Sequence, residues 1–267
     1  MATSKELHLT KEELQNLYDL GLNNKQIGDI YGVTNRTVIN WANKLRCNTD
    51  YSIPKLKLDF FHKVDSREKA YMLGFLLGDG SIDKQKHMNC TVSLNDKEVL
   101  YYFSEWLGCK VTEKNILDIK KKIYPSASIH FGQKQIMNDV CMLFGGRLKE
   151  ERHIPIVSKK YENYLVQGFF DAEGCITFGY RKDRDNFWKT ISFTSQYRML
   201  YGIQKRLEKN NITSSIYPKS HDKCYVLDIS RKNENILLFL DYIYQDKNFV
   251  ILKRKFEKAQ ALRRIIG

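Results

Sequence analysis

The sequence predicts an α+β protein built as two pseudo-symmetric αββαββα halves behind a small all-α domain. Three observations predict it. First, the chain repeats itself. Residues 70–82 read AYMLGFLLGDGSI and residues 164–176 read YLVQGFFDAEGCI, so Gly74, Gly80 and Asp79 match Gly168, Gly174 and Glu173 at an offset of 94. Second, each copy is followed by the same alternation of apolar periodicities, strand-like, helical and strand-like again. Third, the first fifty residues differ from the rest in charge. Residues 1–50 hold 6 basic and 6 acidic side chains, whereas residues 51–267 hold 38 and 25, so the whole net charge of +13 lies in the larger part. These divisions predict an N-terminal module over 1–48, a linker over 49–60 that carries Pro54, a first half over 61–155 and a second over 156–267.

Composition narrows the function classes. With 42% hydrophobic and 28% charged residues the chain reads as an ordinary globular protein. Its basic excess points to a polyanionic partner, nucleic acid or an anionic membrane surface. No window approaches about 18 consecutive apolar residues, so no membrane span is expected. The opening MATSKELHLTKEE lacks the apolar core of a signal peptide. The six cysteines, at 47, 90, 109, 141, 175 and 224, form no C-x-x-C pair, which excludes a zinc ribbon and disfavours a disulfide scaffold. A reducing, cytoplasmic compartment is the expectation.

The N-terminal module predicts three short helices. Thr10 and Glu13 form a capping box, and the helix it starts carries Leu14, Leu17 and Tyr18 and ends near Gly21. Asn23 or Asn24 caps a second helix with Ile27, Ile30 and Tyr31, and Gly32-Val33 makes a tight turn. Thr34 caps a third helix whose Val38, Trp41, Ala42 and Leu45 form one apolar stripe. Its other face presents Asn35, Arg36, Thr37, Asn40 and Lys44, and no acid occurs between Ile30 and Thr49. The arrangement resembles a helix-turn-helix whose third helix meets DNA through those five residues. The alternative is a three-helix cap that touches no nucleic acid.

In the larger part, each motif copy predicts a helix, a strand pair, a helix, a second strand pair and a last helix. The strand pairs fall at 81–82 with 89–94 and 175–180 with 187–193, and TVSL in the first half is echoed by TISF in the second. Helices are expected at 97–107 and 196–210, and the second strand pairs at 116–120 with 126–131 and 213–217 with 224–229. With these neighbourhoods, LGFLLGDG and VQGFFDAEG resemble the paired motifs of LAGLIDADG homing endonucleases in their single-chain form. The resemblance covers residues 55–267 and implies a monomer with one catalytic seam.

Physical chemistry makes sense of the motif on its own terms. Gly74 and Gly78 lie one turn apart on a helix face, as do Gly168 and Ala172. Small residues at that spacing let two helix backbones approach closely. Gly80 and Gly174 are expected to end the helices in a left-handed conformation. Asp79 and Glu173 immediately precede those ends, so one carboxylate from each half reaches the bottom of the seam. Two carboxylates near two helix C-termini repel, and a hard divalent cation such as Mg2+ relieves that repulsion. The resemblance implies that Asp79, Glu173 and the carbonyl of Gly78 or Ala172 bind the metal for phosphodiester cleavage. It also implies a lysine near each centre. FVILKRK at 249–255 points to Lys253, with Lys255 next in line, and the first-half counterpart is Lys149. A water-ordering polar residue is implied at Asn95 and at Ser195 or Gln196.

The expected partner is a double-stranded DNA target, read by strands that turn a polar face outward. In β-strand residues 175–181, Ile176, Phe178 and Tyr180 are expected inward and Thr177 and Arg181 outward. Lys182 and Lys189 near the hairpin end, and the runs 84–87 and 120–122, are placed to reach phosphates or bases. Other nuclease signatures are poorly supported, because Asp118-Ile119-Lys120 lacks an upstream acid partner and the six histidines are dispersed. The expected function is a Mg2+-dependent, site-specific endonuclease cutting both strands across the minor groove. The alternatives are a maturase that binds intron RNA, and a regulator that binds DNA without cutting.

Overall fold

The computed structural model describes residues 9–19, 22–47, 56–117, 123–181, 185–219, 223–249 and 251–267. It divides into two compact units, Met1–Leu56 and Lys57–Gly267.

The smaller unit contains α1 (Lys11–Asp19), α2 (Asn24–Tyr31) and α3 (Asn35–Leu45). Each begins where local chemistry requires. Thr10 N donates to Glu13 Oε2 at 2.8 Å while Glu13 N donates to Thr10 Oγ1 at 3.2 Å. Asn23 and Gln26 form a second reciprocal pair at the start of α2, and the Thr34 hydroxyl accepts from Thr37 N. Gly32, at φ 65°, closes α2 in the left-handed conformation that glycine tolerates best. Leu14, Tyr18, Ile27, Val38 and Ala42 form the core, with Trp41 and Leu45 packed at its edge. Ile30 and Tyr31 do not join it, being 59% and 40% exposed. The core-facing stripe of α2 is narrower than its apolar content suggests.

The larger unit is built on two central helices, α4 (Arg67–Asp79) and α7 (Glu162–Glu173). Residues Ala70 to Gly78 are all buried, so α4 is enclosed on every side. The two helices touch through glycine. A β-carbon on Gly74 would overlap the Leu165 carbonyl, one on Gly168 the Tyr71 carbonyl, and one on Gly78 the Ala172 methyl. The seam expected from the small residues is present, and main-chain atoms form its walls.

Each central helix runs into a four-stranded antiparallel sheet. β1 (Gly80–Ile82), β2 (Met88–Ser93), β3 (Val111–Leu117) and β4 (Ile123–Phe131) take the order β1-β2-β4-β3. β5 (Gly174–Arg181), β6 (Asn186–Ser195), β7 (Ser214–Pro218) and β8 (Tyr225–Ile229) repeat it as β5-β6-β8-β7. Helices α5 (Glu98–Leu107) and α6 (Lys134–Phe144) complete the first half, and α8 (Tyr197–Glu208) and α9 (Asn233–Ile243) the second. A further helix, α10 (Lys253–Ile266), follows the repeat. The expected αββαββα order is therefore found twice, in a mixed helix and sheet fold.

Three local expectations are corrected. Gly80 (φ −76°, ψ 135°) and Gly174 (φ −86°, ψ 153°) are extended rather than left-handed, because each is already the first residue of a strand. Glycine is required there for space: a β-carbon would overlap the Leu76 carbonyl at one position and the Phe170 ring at the other. The tetrapeptides TVSL and TISF are not equivalent, since Gly80 pairs with Cys90 whereas Gly174 pairs with Phe193. That register sets Thr91 against Thr194 rather than Thr190, so similarity of letters hid a four-residue shift. Tyr180 shares a sheet face with buried Ile176 yet is 58% exposed. The β5–β6 hairpin extends past the residues that bury its base, and burial along it fades toward the tip.

Candidate functional site

Asp79 and Glu173 are the last residues of α4 and α7, and the close helix seam brings these ends together. Glu173 is half-buried and Asp79 is exposed. Desolvation pushes both carboxyls up from the ordinary range, against the lowering pull of Lys149 and Lys255. The Asp79 charge also raises Glu173. Both acids thus lie in the field of the same two lysines.

The helix C-termini are finished by cations that the repeat did not reveal. Lys255, in the first turn of α10, is 7% exposed, and its Nζ donates to the carbonyls of Phe170, Asp171 and Gly174 at 2.7, 2.7 and 2.6 Å. Arg152, 1% exposed, donates to the carbonyls of Leu77 and Gly80 at 3.4 and 2.8 Å. In both halves the cation grips the carbonyl two residues before the acid and the one just after it. Such pairing satisfies carbonyls that a helix end leaves open and opposes its partial negative charge. It also replaces the left-handed glycine ending expected from sequence. Burial lowers the Lys255 ammonium from its ordinary value, with Asp171 opposing that shift.

Lys253 lies outside this arrangement. It is the exposed first residue of α10, whereas Lys255, two positions later, faces inward. Lys149 does reach the site: its Nζ donates to Gly78 O at 2.8 Å and lies 4.0 Å from Glu173 Oε1. Asn95 is exposed in a 3-10 turn after β2, Ser195 is buried at the end of β6, and Gln196 is half-buried beyond it.

A second layer ties the halves together. The Tyr71 hydroxyl donates to Asp171 Oδ2 at 2.7 Å across the seam, with both side chains buried. Burial raises the Asp171 carboxyl to about 7 despite the opposing Lys255 charge and this hydrogen bond. Arg254 binds Asp96 through two bonds of 2.6 and 2.8 Å, and Arg67 pairs with Asp246 at 2.6 Å. Asp171 sits where the repeat has Leu77, so comparison of the copies gave no hint of the Tyr71 bond.

The sheets present a polar face. Pairing puts Thr91 with Ser128 and Asn89 with His130 in the first half, and Thr177 with Thr190 in the second. Arg181 shares the Thr177 face, as expected, but Lys189 pairs with Phe178 and falls on the opposite one. A cavity of about 380 Å3 near the hairpin end is lined by Arg181, Trp188, Lys189 and Arg231, among others. Lys182 and the run 120–122 lie outside the described residues. In the smaller unit Asn35, Arg36, Thr37, Asn40 and Lys44 all fall on α3, and Lys44 Nζ sits 4.8 Å from the Trp41 ring centre.

The donors at the seam are carboxylate and carbonyl oxygens, a set that fits a hard, oxygen-preferring divalent cation. Among the described residues no cluster of three or more His, Cys, Asp or Glu side chains is present. A cation here would take its remaining ligands from water and phosphate, as hard cations in phosphoryl sites do. Among the described residues no helix is long and apolar enough to cross a membrane.

Two sheets of one topology on a shared, glycine-packed helix pair make a fold like that of solved LAGLIDADG homing endonucleases. The homing endonuclease I-WcaI bound to its DNA recognition sequence matches with a TM-score of 0.52 at 14% identity, over 76% of this chain and 93% of that one. The LAGLIDADG homing endonuclease I-LtrWI bound to target DNA matches at 0.50 and 10% identity, over 78% and 91%. Within the chain, residues 160–244 match the family described as the LAGLIDADG-like domain. An uncharacterized protein of Methanocaldococcus jannaschii is 25% identical over 255 residues, covering 86% of this chain and 82% of that protein.

Proposed function

We propose that the chain is a site-specific endonuclease that binds double-stranded DNA as a monomer and, with Mg2+, cuts both strands across the minor groove. One observation carries the reading: two acids, one from each half, end the paired helices and share one electrostatic environment. A domain that only bound DNA would gain nothing from ending two packed helices in a pair of like-charged carboxyls. Both solved relatives described above are homing endonucleases bound to DNA, which supports the same substrate class.

Asp79, Glu173 and the carbonyls of Gly78 and Ala172 would hold the metal. When bound, it supplies charge stabilisation at the scissile phosphate and lowers the pKa of an attacking water. The chain's own residues do the rest. Lys255 and Arg152 fix the backbone on either side of each acid, so the carboxylates are aimed before DNA arrives. Lys149, reaching the site from solvent, brings a positive charge to where a phosphate would sit. Thr177, Arg181 and their neighbours on the polar face engage the duplex, with Arg231 added by its place beside Arg181. Asn35, Arg36, Thr37, Asn40 and Lys44 give α3 a base-reading face, making the small unit a helix-turn-helix that adds contacts outside the cut site.

The test is cleavage of a randomised duplex library with Mg2+ or Mn2+, followed by sequencing of the ends. Staggered cuts at one site are expected. Asp79→Asn and Glu173→Gln should each abolish cutting while gel-shift binding survives. Full activity in either variant would end the assignment. Tight binding with no cleavage under any divalent metal would favour a regulator instead.

A further inference from the structure

Among the described residues, Lys149, Arg152 and Lys255 bind carbonyls at the two helix ends, and they are not alike. Lys255 and Arg152 are buried and committed to several carbonyls each. Lys149 is different: its side chain is 46% exposed and approaches from solvent. It makes a 2.8 Å hydrogen bond to Gly78 O and lies 4.0 Å from Glu173 Oε1. Those are two of the oxygens that the proposed reaction assigns to a divalent cation. An ammonium held beside these oxygens repels a divalent metal that approaches them, so the two cations compete for the same place. The repeat sharpens the point. Lys149 precedes Arg152 by three residues, and the residue three before Lys255 is Leu252, buried and apolar. The equivalent position in the second half thus carries no cation.

We propose that Lys149 is an exchangeable internal counter-cation: it neutralises the acid pair by sitting on Gly78 O and beside Glu173, and it must swing out before a divalent metal takes those oxygens. The idea rests on the metal-binding reading of Asp79 and Glu173, and makes Lys149 the residue that sets how readily metal enters. The geometry supports it, since the Lys149 ammonium lies against one oxygen from each helix end, Gly78 O and Glu173 Oε1. A half-exposed lysine can leave at small cost, because its charge returns to water.

The experiment uses the full chain without DNA and Mn2+ alone as the probe, with free Mn2+ followed by its electron paramagnetic resonance signal. Lys149→Met should bind Mn2+ about tenfold more tightly than the parent, the factor that 1.4 kcal/mol of relieved repulsion produces. Lys149→Arg, which keeps the charge, should stay close to the parent. Without Mn2+, Lys149→Met should also melt at a lower temperature at pH 8, and added Mn2+ should restore it. Unchanged or weaker Mn2+ binding in Lys149→Met, with uptake still lost in Asp79→Asn, overturns the exchange and leaves the metal site standing. Uptake indifferent to both Asp79→Asn and Glu173→Gln overturns the site and the exchange together.

Discussion

Replacing Tyr71 by Phe removes a single oxygen from the centre of the seam. Tyr71 is fully buried, and its hydroxyl gives Asp171 Oδ2 a 2.7 Å hydrogen bond; Oδ1 has no partner among the described residues. The ring keeps its place against Phe75, Phe103 and Phe249, so packing is nearly conserved. What is lost is one hydrogen bond to a buried carboxyl, worth about 1–3 kcal/mol when the carboxyl is ionised. Melting should fall by roughly 3–8 °C for a unit of this size.

The sign with pH follows from the Asp171 carboxyl, raised to about 7 from 3.8. Below about pH 4 it is protonated folded and unfolded, and contributes nothing to pH dependence. As pH rises from 4 to 7 the unfolded chain releases this proton while the folded one keeps it, so stability falls by as much as about 4 kcal/mol. Above 7 both forms are ionised and that loss is complete. Without the Tyr71 hydroxyl the folded carboxyl titrates higher still, so the decline continues past pH 7. Urea unfolding at pH 5.5 and pH 8.5 should therefore show a larger Tyr71→Phe loss at the higher pH. Adding Asp171→Asn should abolish the difference between the two pH values. Equal losses at both, or none at either, would refute the placement of this bond and the ionisation assigned to it.

Other perturbations probe the remaining parts of the frame. Gly74→Ala or Gly168→Ala puts a methyl into a main-chain carbonyl, and should cost about 1–3 kcal/mol or more in urea unfolding; a neutral result would contradict the close seam. Arg152→Met leaves the Leu77 and Gly80 carbonyls without their buried cation and should destabilise by about 1–3 kcal/mol, with Arg152→Lys recovering part of it. Arg254→Gln breaks an ion pair whose arginine is more than half exposed, so its effect on stability should stay below about 1 kcal/mol and shrink in salt. Deleting residues 1–56 should shorten the DNA footprint while leaving cleavage chemistry in place. An unchanged footprint would make the small unit a structural cap.

Much was legible in the sequence because it rests on local or repeated patterns. The caps at Thr10, Asn23 and Thr34 are fixed by residues within three positions of each other. The repeat of Gly74 and Asp79 at Gly168 and Glu173 required no knowledge of contacts to show that two equivalent helices end in acids. Small residues one turn apart then implied the seam, since helix geometry alone sets that spacing. Other features depended on long-range placement. The only local sign that separates Lys255 from Lys253 is its helical spacing to Ala259 and Leu262, and which carbonyls it meets depends on how α10 packs beside α7. Arg152 was hidden in a charged run that reads as solvated surface, until the fold buried it against the end of α4. The side of the sheet taken by Lys189 depends on register, and a shift in pairing reassigns every side chain along a strand. Tertiary structure decided which cations finish the two helix ends, because Lys149, Arg152 and Lys255 reach the carbonyls of Gly78, Leu77 and Asp171 across 71, 75 and 84 residues of chain.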